Sequence, residues 1–371
     1  MSDSNFRSPD LFDSVGISLQ RPAQHQDTLL RQARLLSDDA DSASAGTNKK
    51  KYDNRKLGAK NLRKVVQVVE DVRSVAPYDA GELGFYSQIL VQTSLPHKNP
   101  GDDLPAWSRV NRNFTLTINN TSYFDPVRKE HVKYGLPYGT LARLIFAWMG
   151  TEAVRTRNPK LELGDTFGNF LQKLDIQRTG GARGTYQAVQ NQLTRLIHSP
   201  ISWSFNPPQD RDGSWKPRPA ADQGQNIFPI ESRNLLWDPA RPDERGLWTS
   251  EITLNQIFYN HLLRHNVPVD MRVIRELARL HSSLGIDIYT WVTFRVHELE
   301  APTRAIPWRA LAAQMGSSHK DMSEFARDFK RNWQKVHALY PQANLEFVQG
   351  GLRLHPSRTH VLSLPATTKK D

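Results

Sequence analysis

The sequence predicts an α+β fold: tandem winged-helix domains behind a disordered N-terminal tail. Three observations predict it. Near the C-terminus, a short helix, a polar turn, a long amphipathic helix and a β-hairpin follow one another in the order of a winged helix. An earlier stretch repeats that order at low sequence similarity. The first 60 residues, by contrast, are too polar to hold a core.

The C-terminal unit spans 307–355. PWRALAAQMG reads as a short helix from Pro307 to Gly316, and Ser317-Ser318-His319-Lys320 as a turn. The long helix runs from Asp321 to Tyr340 and stops at Pro341. Met322, Phe325, Phe329, Trp333 and Val336 recur at spacings of three and four, so they form one apolar stripe that faces a core. Ser323, Arg327, Lys330, Arg331 and Gln334 lie off that stripe. Guanidinium, ammonium and amide groups on one helical face suit phosphates and purine edges in a major groove. Asp321 is the expected N-cap, with Glu324 three residues on. NLEF and LRLH, joined by Val348-Gln349-Gly350-Gly351, form the hairpin. His319 and Lys320 are expected at the DNA backbone, and Arg353 and Arg358, on or beyond the hairpin, at phosphate or minor groove.

The earlier unit follows a strong helix over Tyr138 to Arg155, with Leu141, Leu144, Ile145, Trp148 and Met149 on one side. Asp165 is the expected cap of TFGNFLQKL. A turn with Gly180, Gly181 and Gly184 leads to a helix over Thr185–His198. Tyr186, Val189, Leu193, Leu196 and Ile197 form its inner face; Gln187, Gln190, Asn191 and Thr194, with Arg183 ahead of them, its outer one. ISWSF and IFPIES are expected to make a second wing around a polar loop bearing Arg211, Lys216 and Arg218. GFYSQILVQTSLP reads as extended or mixed, and FTLTI and EITLN as strands. QIFYNHLLRH, MRVIRELARLHSS (capped by Asp270) and GIDIYTWVTFRVHEL read as helices. The expected division is a tail over 1–60, a linker helix over 61–80, domains over 81–245 and 251–360, and a tail over 361–371. The basic run from Lys49 to Lys60 is either a phosphate-seeking arm or a soluble linker.

The chain has 371 residues and 49 lysines and arginines against 38 acids, a net charge of +11 that favours a polyanionic partner. It has no cysteine, which excludes disulfides and thiolate-bound zinc and fits a reducing cytoplasm. No apolar run approaches the ~18 residues of a membrane span. No P-loop, GxSxG or HExxH pattern is present, so the expected protein is not an enzyme and needs no cofactor or metal. His261 and His265 sit four apart on a helix, but Leu262 stands where zinc peptidases carry glutamate, so they read as ordinary helix histidines.

GLPYGTLARLIFAWMGTEAVRTR over 135–157 resembles the hallmark of the plasmid-encoded RepA replication initiators. GFYSQILVQTSLPHKNP at 84–100 and FTLTI at 114–118 resemble the family's upstream blocks; LELGDTFGNFLQKLDI at 161–176 and GGARGTY at 180–186 resemble its downstream ones. The resemblance implies an initiator that binds repeated origin sites (iterons) in double-stranded DNA, recruits host replication proteins such as the helicase or its loader, and represses its own gene. It also implies a monomer–dimer equilibrium and a bacterial cytoplasm, beside plasmid or nucleoid. The alternative is a winged-helix transcriptional regulator without a replication role. Leu11-Phe12 resembles the end of a sliding-clamp-binding peptide, with Ser8 in place of its leading glutamine.

Overall fold

In the computed structural model the described residues are 54–111, 114–179, 181, 184–205, 223–236 and 249–361. The chain is α+β. Helix α1 (Asn54–Ser74) begins ahead of the expected Asn61 and buries Val65, Val69 and Val72 at spacings of four and three. Its C-terminal carbonyls are held by the Arg272 guanidinium, which donates to Asp71 O at 2.7 Å and Val75 O at 2.8 Å. Strand β1 (Leu83–Ser87) and the short α2 (Gln88–Gln92) resolve the stretch that read as mixed.

Strands β2 (Ala106–Asn111) and β3 (Phe114–Asn119) form a hairpin, and β4 (Ser122–Asp125) with β5 (Glu130–Lys133) another. In β3, Phe114, Leu116 and Ile118 alternate inward, as period two requires. Helix α3 (Gly139–Thr156) departs from expectation. Instead of one apolar side it buries Ala142, Leu144, Phe146, Trp148, Met149 and Ala153, all round its circumference. A helix apolar on every side belongs inside the protein. Gly150 lets it lie against β1, because a Cβ there would collide with the Phe85 carbonyl oxygen.

Next come β6 (Lys160–Gly164), α4 (Phe167–Lys173), α5 (Thr185–Ile197), β7 (Ile201–Phe205), β8 (Gln223–Ile227), β9 (Ile230–Asn234) and β10 (Ser250–Leu254). The cap of α4 is Thr166 and not Asp165. The Thr166 hydroxyl accepts from Asn169 N at 3.0 Å and Asn169 Oδ1 accepts from Thr166 N at 3.0 Å, a reciprocal box that satisfies two orphan donors. Asp165 instead accepts from the Thr249 hydroxyl at 2.7 Å. The remaining elements are α6 (Gln256–Arg264), β11 (Asn266–Asp270), α7 (Met271–Arg279), α8 (Ser283–His297), β12 (Ile306–Pro307), α9 (Trp308–Gln314), α10 (Met322–Leu339), β13 (Leu345–Val348) and β14 (Gly351–Leu354).

Two sheets share one plan. In the first the strand order is β6-β10-β9, in the second β12-β14-β13, and all pairs are antiparallel. Each runs strand, helix, helix, hairpin, with the last strand between the other two. The hairpin β7–β8 belongs elsewhere: β7 pairs with β3, extending the first hairpin to the order β2-β3-β7-β8. The strands expected as a second wing are therefore split between two sheets at Phe228-Pro229.

Strands from either side of the expected boundary at 245–251 pair with each other. β1 pairs with β11 from Leu83↔Asp270 to Ser87↔Asn266, and β10 pairs with β6. Beneath them lies a buried polar clasp. The Arg143 guanidinium on α3, fully enclosed, uses all five donors. Nε and Nη2 donate to the two Asp287 oxygens on α8 at 2.7 Å each, Nη2 also to Leu95 O at 2.8 Å, and Nη1 to Pro96 O at 3.1 Å and Gly139 O at 2.9 Å. His97 completes it: Nε2 donates to Met315 O at 2.6 Å, so Nδ1 accepts from the Ser283 hydroxyl at 3.0 Å. Burial, followed by the Arg143 charge, lowers this imidazole to about 4, against the opposing pull of Asp287.

Replacing Arg143 with methionine leaves the Asp287 carboxylate buried without its cation and removes the guanidinium donors of three carbonyls, of which Pro96 O keeps the bond from Gly139 N. It should destabilise the protein by ~3–5 kcal/mol, read as a lower urea midpoint at unchanged slope. Acid should also weaken the fold. His97 titrates near 4 when folded and near 6.5 when free, so the unfolded chain binds more protons between those values. Stability is full above pH 6.5 and falls as pH drops toward 4, by up to ~1.4 kcal/mol per pH unit for this group. His97→Gln should flatten urea midpoints measured from pH 7.5 to 4.5 by about one proton's worth of slope.

Candidate nucleic-acid interface

The surface of interest is built on α10. Its N-cap is Asp321, whose carboxylate accepts from Ser323 N at 2.8 Å and from the Ser323 hydroxyl at 2.6 Å. Phe325, Phe329, Trp333 and Val336 are buried and Met322 partly so, as their spacing predicts. Trp308 of α9 meets Phe325 at 6.2 Å and Phe329 at 5.5 Å, which fixes the angle between the two helices. Gly316 ends α9 at φ +61°, close against Ser94 Oγ, where a side chain would be both strained and crowded.

On the outer face Ser323, Arg327, Lys330 and Gln334 are all exposed. At 100° per residue they fall within an arc of about 60°. The hairpin β13–β14 stands beside this arc. Phe347 of β13 lies 6.1 Å from Trp308 and takes the Lys330 ammonium over its ring at 5.2 Å, so helix face and hairpin form one continuous surface. Gly350 turns the hairpin at φ +75°.

Not every expected contact residue lies open. Arg331 is exposed but at the edge of the arc, where it donates to Asp328 Oδ1 at 2.7 Å. His319 is held by Asp328 Oδ2 at 2.7 Å and Glu324 at 3.4 Å, so Glu324 serves the turn rather than closing a capping box. Lys320 is exposed. Arg353 pairs with Glu346 across the hairpin at 3.3 Å, and Arg358 is exposed while its carbonyl accepts from the Tyr340 hydroxyl at 2.7 Å. Asp328 and Phe347 are the members that residue-type reasoning missed. The i,i+3 spacing of Asp328 to Arg331 was the available signal for the first; pairing across the hairpin alone places the second.

On α5, Gln187 and Asn191 are exposed and Gln190 and Thr194 partly so. Val189, Leu193, Leu196 and Ile197 are buried, with Tyr186 packed partly buried against them. The Asn191 side-chain oxygen accepts from Arg195 Nε at 2.6 Å. Arg195 itself is buried, reaching Asp102 at 2.8 Å and Leu136 O at 3.2 Å. Arg183, Arg211, Lys216, Arg218 and the Leu11-Phe12 pair lie outside the described residues. The His261 and His265 rings lie 5.0 Å apart and tilted by 37°; burial and then the neighbouring imidazole lower His261 to about 4. Among the described residues no group of three or more acids and histidines could hold a metal, and no helix is long and apolar enough to cross a membrane.

The class is thus an α+β protein that repeats a strand–helix–helix–hairpin unit and presents an amide- and cation-bearing helix face beside the second hairpin. Residues 136–308, just under half of the chain, match the family model described as "Plasmid encoded RepA protein", the family that the GLPYG and TEAVRT blocks resemble. The match starts at Leu136, enters α3 and ends at Trp308, so α10 and its hairpin stand beyond it. Two solved structures of RctB domains 2 and 3 are similar at 10% identity. One, RctB-155-483, covers 73% of this chain and 96% of its own with a TM-score of 0.42. The other covers 80% and 99% with a TM-score of 0.44. No curated protein matches.

Proposed function

We propose that this chain is a non-enzymatic initiator of plasmid replication that binds repeated origin sites in double-stranded DNA and recruits host replication proteins, with α10 as its principal base-reading helix. The family match over 136–308 supports the replication role. The exposed arc of Ser323, Arg327, Lys330 and Gln334, joined to the hairpin through Lys330 and Phe347, carries the DNA-reading role. An α-helix fits the major groove with one face toward base edges, and a hairpin beside it reaches the flanking backbone. We read the two units as tandem winged helices, with Gln187, Gln190 and Asn191 of α5 as a second reading face. Arg331 and His319 start from ion pairs with Asp328, so DNA phosphate would displace that carboxylate to engage them.

A gel-shift titration at about 150 mM salt tests the reading, with the plasmid's repeat-containing DNA against scrambled DNA of equal length. Discrimination of ~10³ or more is expected; equal binding to both probes would reject it. Gln334→Ala and Arg327→Ala should each cost about 1–3 kcal/mol on the repeat and relax one base position, if they meet base edges. Lys330→Ala should weaken both probes alike and flatten the salt slope by about one. Asp328→Asn should strengthen binding to both probes, because it releases Arg331 and His319 from a competing carboxylate; weaker binding would show that the pairing organises the site instead.

A further inference from the structure

A cleft of about 520 Å³ opens where three loops meet: 96–100 after α2, 280–284 between α7 and α8, and 316–319 between α9 and α10. Its size is that of a small-molecule site, ~300–1,000 Å³. Its lining has two characters. Trp107 and Leu284 supply partly exposed apolar surface, over a floor that includes the buried Pro96 and Phe325. Lys98 brings an exposed ammonium and Arg331 a guanidinium held by Asp328, with the buried Lys335 and the imidazoles of His281 and His319 beside them. The single carboxylate is Asp328, and both its oxygens are engaged already, one by Arg331 and one by His319, at 2.7 Å each. The cleft therefore carries net positive charge.

Hydrogen-bond donors line the same space. Ser317 and Ser318 present hydroxyls, whereas the Ser283 hydroxyl donates to His97 Nδ1. The Ser282 hydroxyl donates to Asn332 Oδ1 at 2.5 Å and makes no cap hydrogen bond to α8, which borders the cleft. One wall is rigid. His97 is pinned between Met315 O and Ser283 Oγ, and the Arg143–Asp287 pair lies directly behind it.

We propose that this cleft binds a phosphorylated small molecule with a flat apolar body, such as a mononucleotide, its phosphate among the lysine, arginine and serine side chains and its body against Trp107 and Leu284. Charge-assisted bonds to phosphate and an apolar surface for the remainder are what such a ligand requires, and the cleft holds both. The lining comes from segments far apart in sequence, so the ligand would bridge the loop at 96–100 to the turn ahead of α10. The cleft shares Arg331 and His319 with the proposed DNA-backbone contacts, whereas base reading uses the exposed arc of α10.

Isothermal titration of the full chain with ADP, inorganic phosphate and a short scrambled duplex tests it. ADP should bind at one saturable site, more tightly than inorganic phosphate. Lys98→Glu and His281→Glu should each weaken it tenfold or more; both side chains are exposed, so the fold is retained, as a thermal melt would check. Saturating duplex should weaken ADP binding without abolishing it, because Arg331 and His319 are shared while Lys98 and His281 are not. No saturable ADP binding, or equal affinity in wild type and both variants, would overturn the proposal. Inorganic phosphate binding as tightly as ADP would reject the apolar subsite, and complete displacement of ADP by duplex would assign the phosphate position to the DNA backbone.

Discussion

The buried pair of Arg143 and Asp287 is the interaction on which the rest of the molecule depends. An ion pair removed from water is tolerated only where the remaining hydrogen-bonding capacity is also satisfied. Here it is satisfied by the carbonyls of Leu95, Pro96 and Gly139, which belong to a loop and to the start of α3 itself. One guanidinium thus ties the central helix, the loop after α2 and the helix α8 into a fixed arrangement. His97, neutral at physiological pH, carries the same constraint on to Met315 at the end of α9. The turn that precedes α10 is positioned from the far side of the chain, not only by its own neighbours.

The repeated plan has a simple physical basis. A short strand followed by two helices leaves one face of the second helix apolar, and a hairpin returning to the first strand covers it. In the C-terminal unit this closure is visible in the aromatic cluster of Trp308, Phe325, Phe329 and Phe347. Gly351 is required where β14 crosses β12, because a Cβ there would meet the Ile306 carbonyl oxygen. In the earlier unit β7 and β8 intervene between helix and closing strands and join the β2–β3 sheet instead. The same order of elements therefore serves one unit that stands at the surface and one that is woven into the body.

Electrostatics on α10 are graded rather than uniform. Arg327 and Lys330 project from a face whose neighbouring residues are polar, whereas Arg331 and His319 share Asp328. Ion pairs this exposed contribute little to folding, ~0–1 kcal/mol. Their consequence is to hold the Arg331 guanidinium and the His319 ring in defined positions.

Much of the C-terminal unit was legible in sequence, since helical periodicity, an aspartate cap, a glycine stop and a glycine turn are all local signals. The same holds for the cap at Asp270 and the alternation in β3. The RepA-like blocks at 135–157 could be read because they are contiguous. What tertiary structure alone decided is what joins distant residues. NVPVD at 266–270 carries a proline and no long alternation, yet it is a strand because β1 lies beside it. Thr166 rather than Asp165 caps α4 because Asn169 answers it and Thr249 takes the aspartate. Nothing local to Arg143 marks it as buried; only the placement of Asp287, 144 residues away, makes it the centre of the polar clasp. Short-range patterns are set by backbone geometry and so are written in the chain, whereas partner choice across long separations depends on the packed whole.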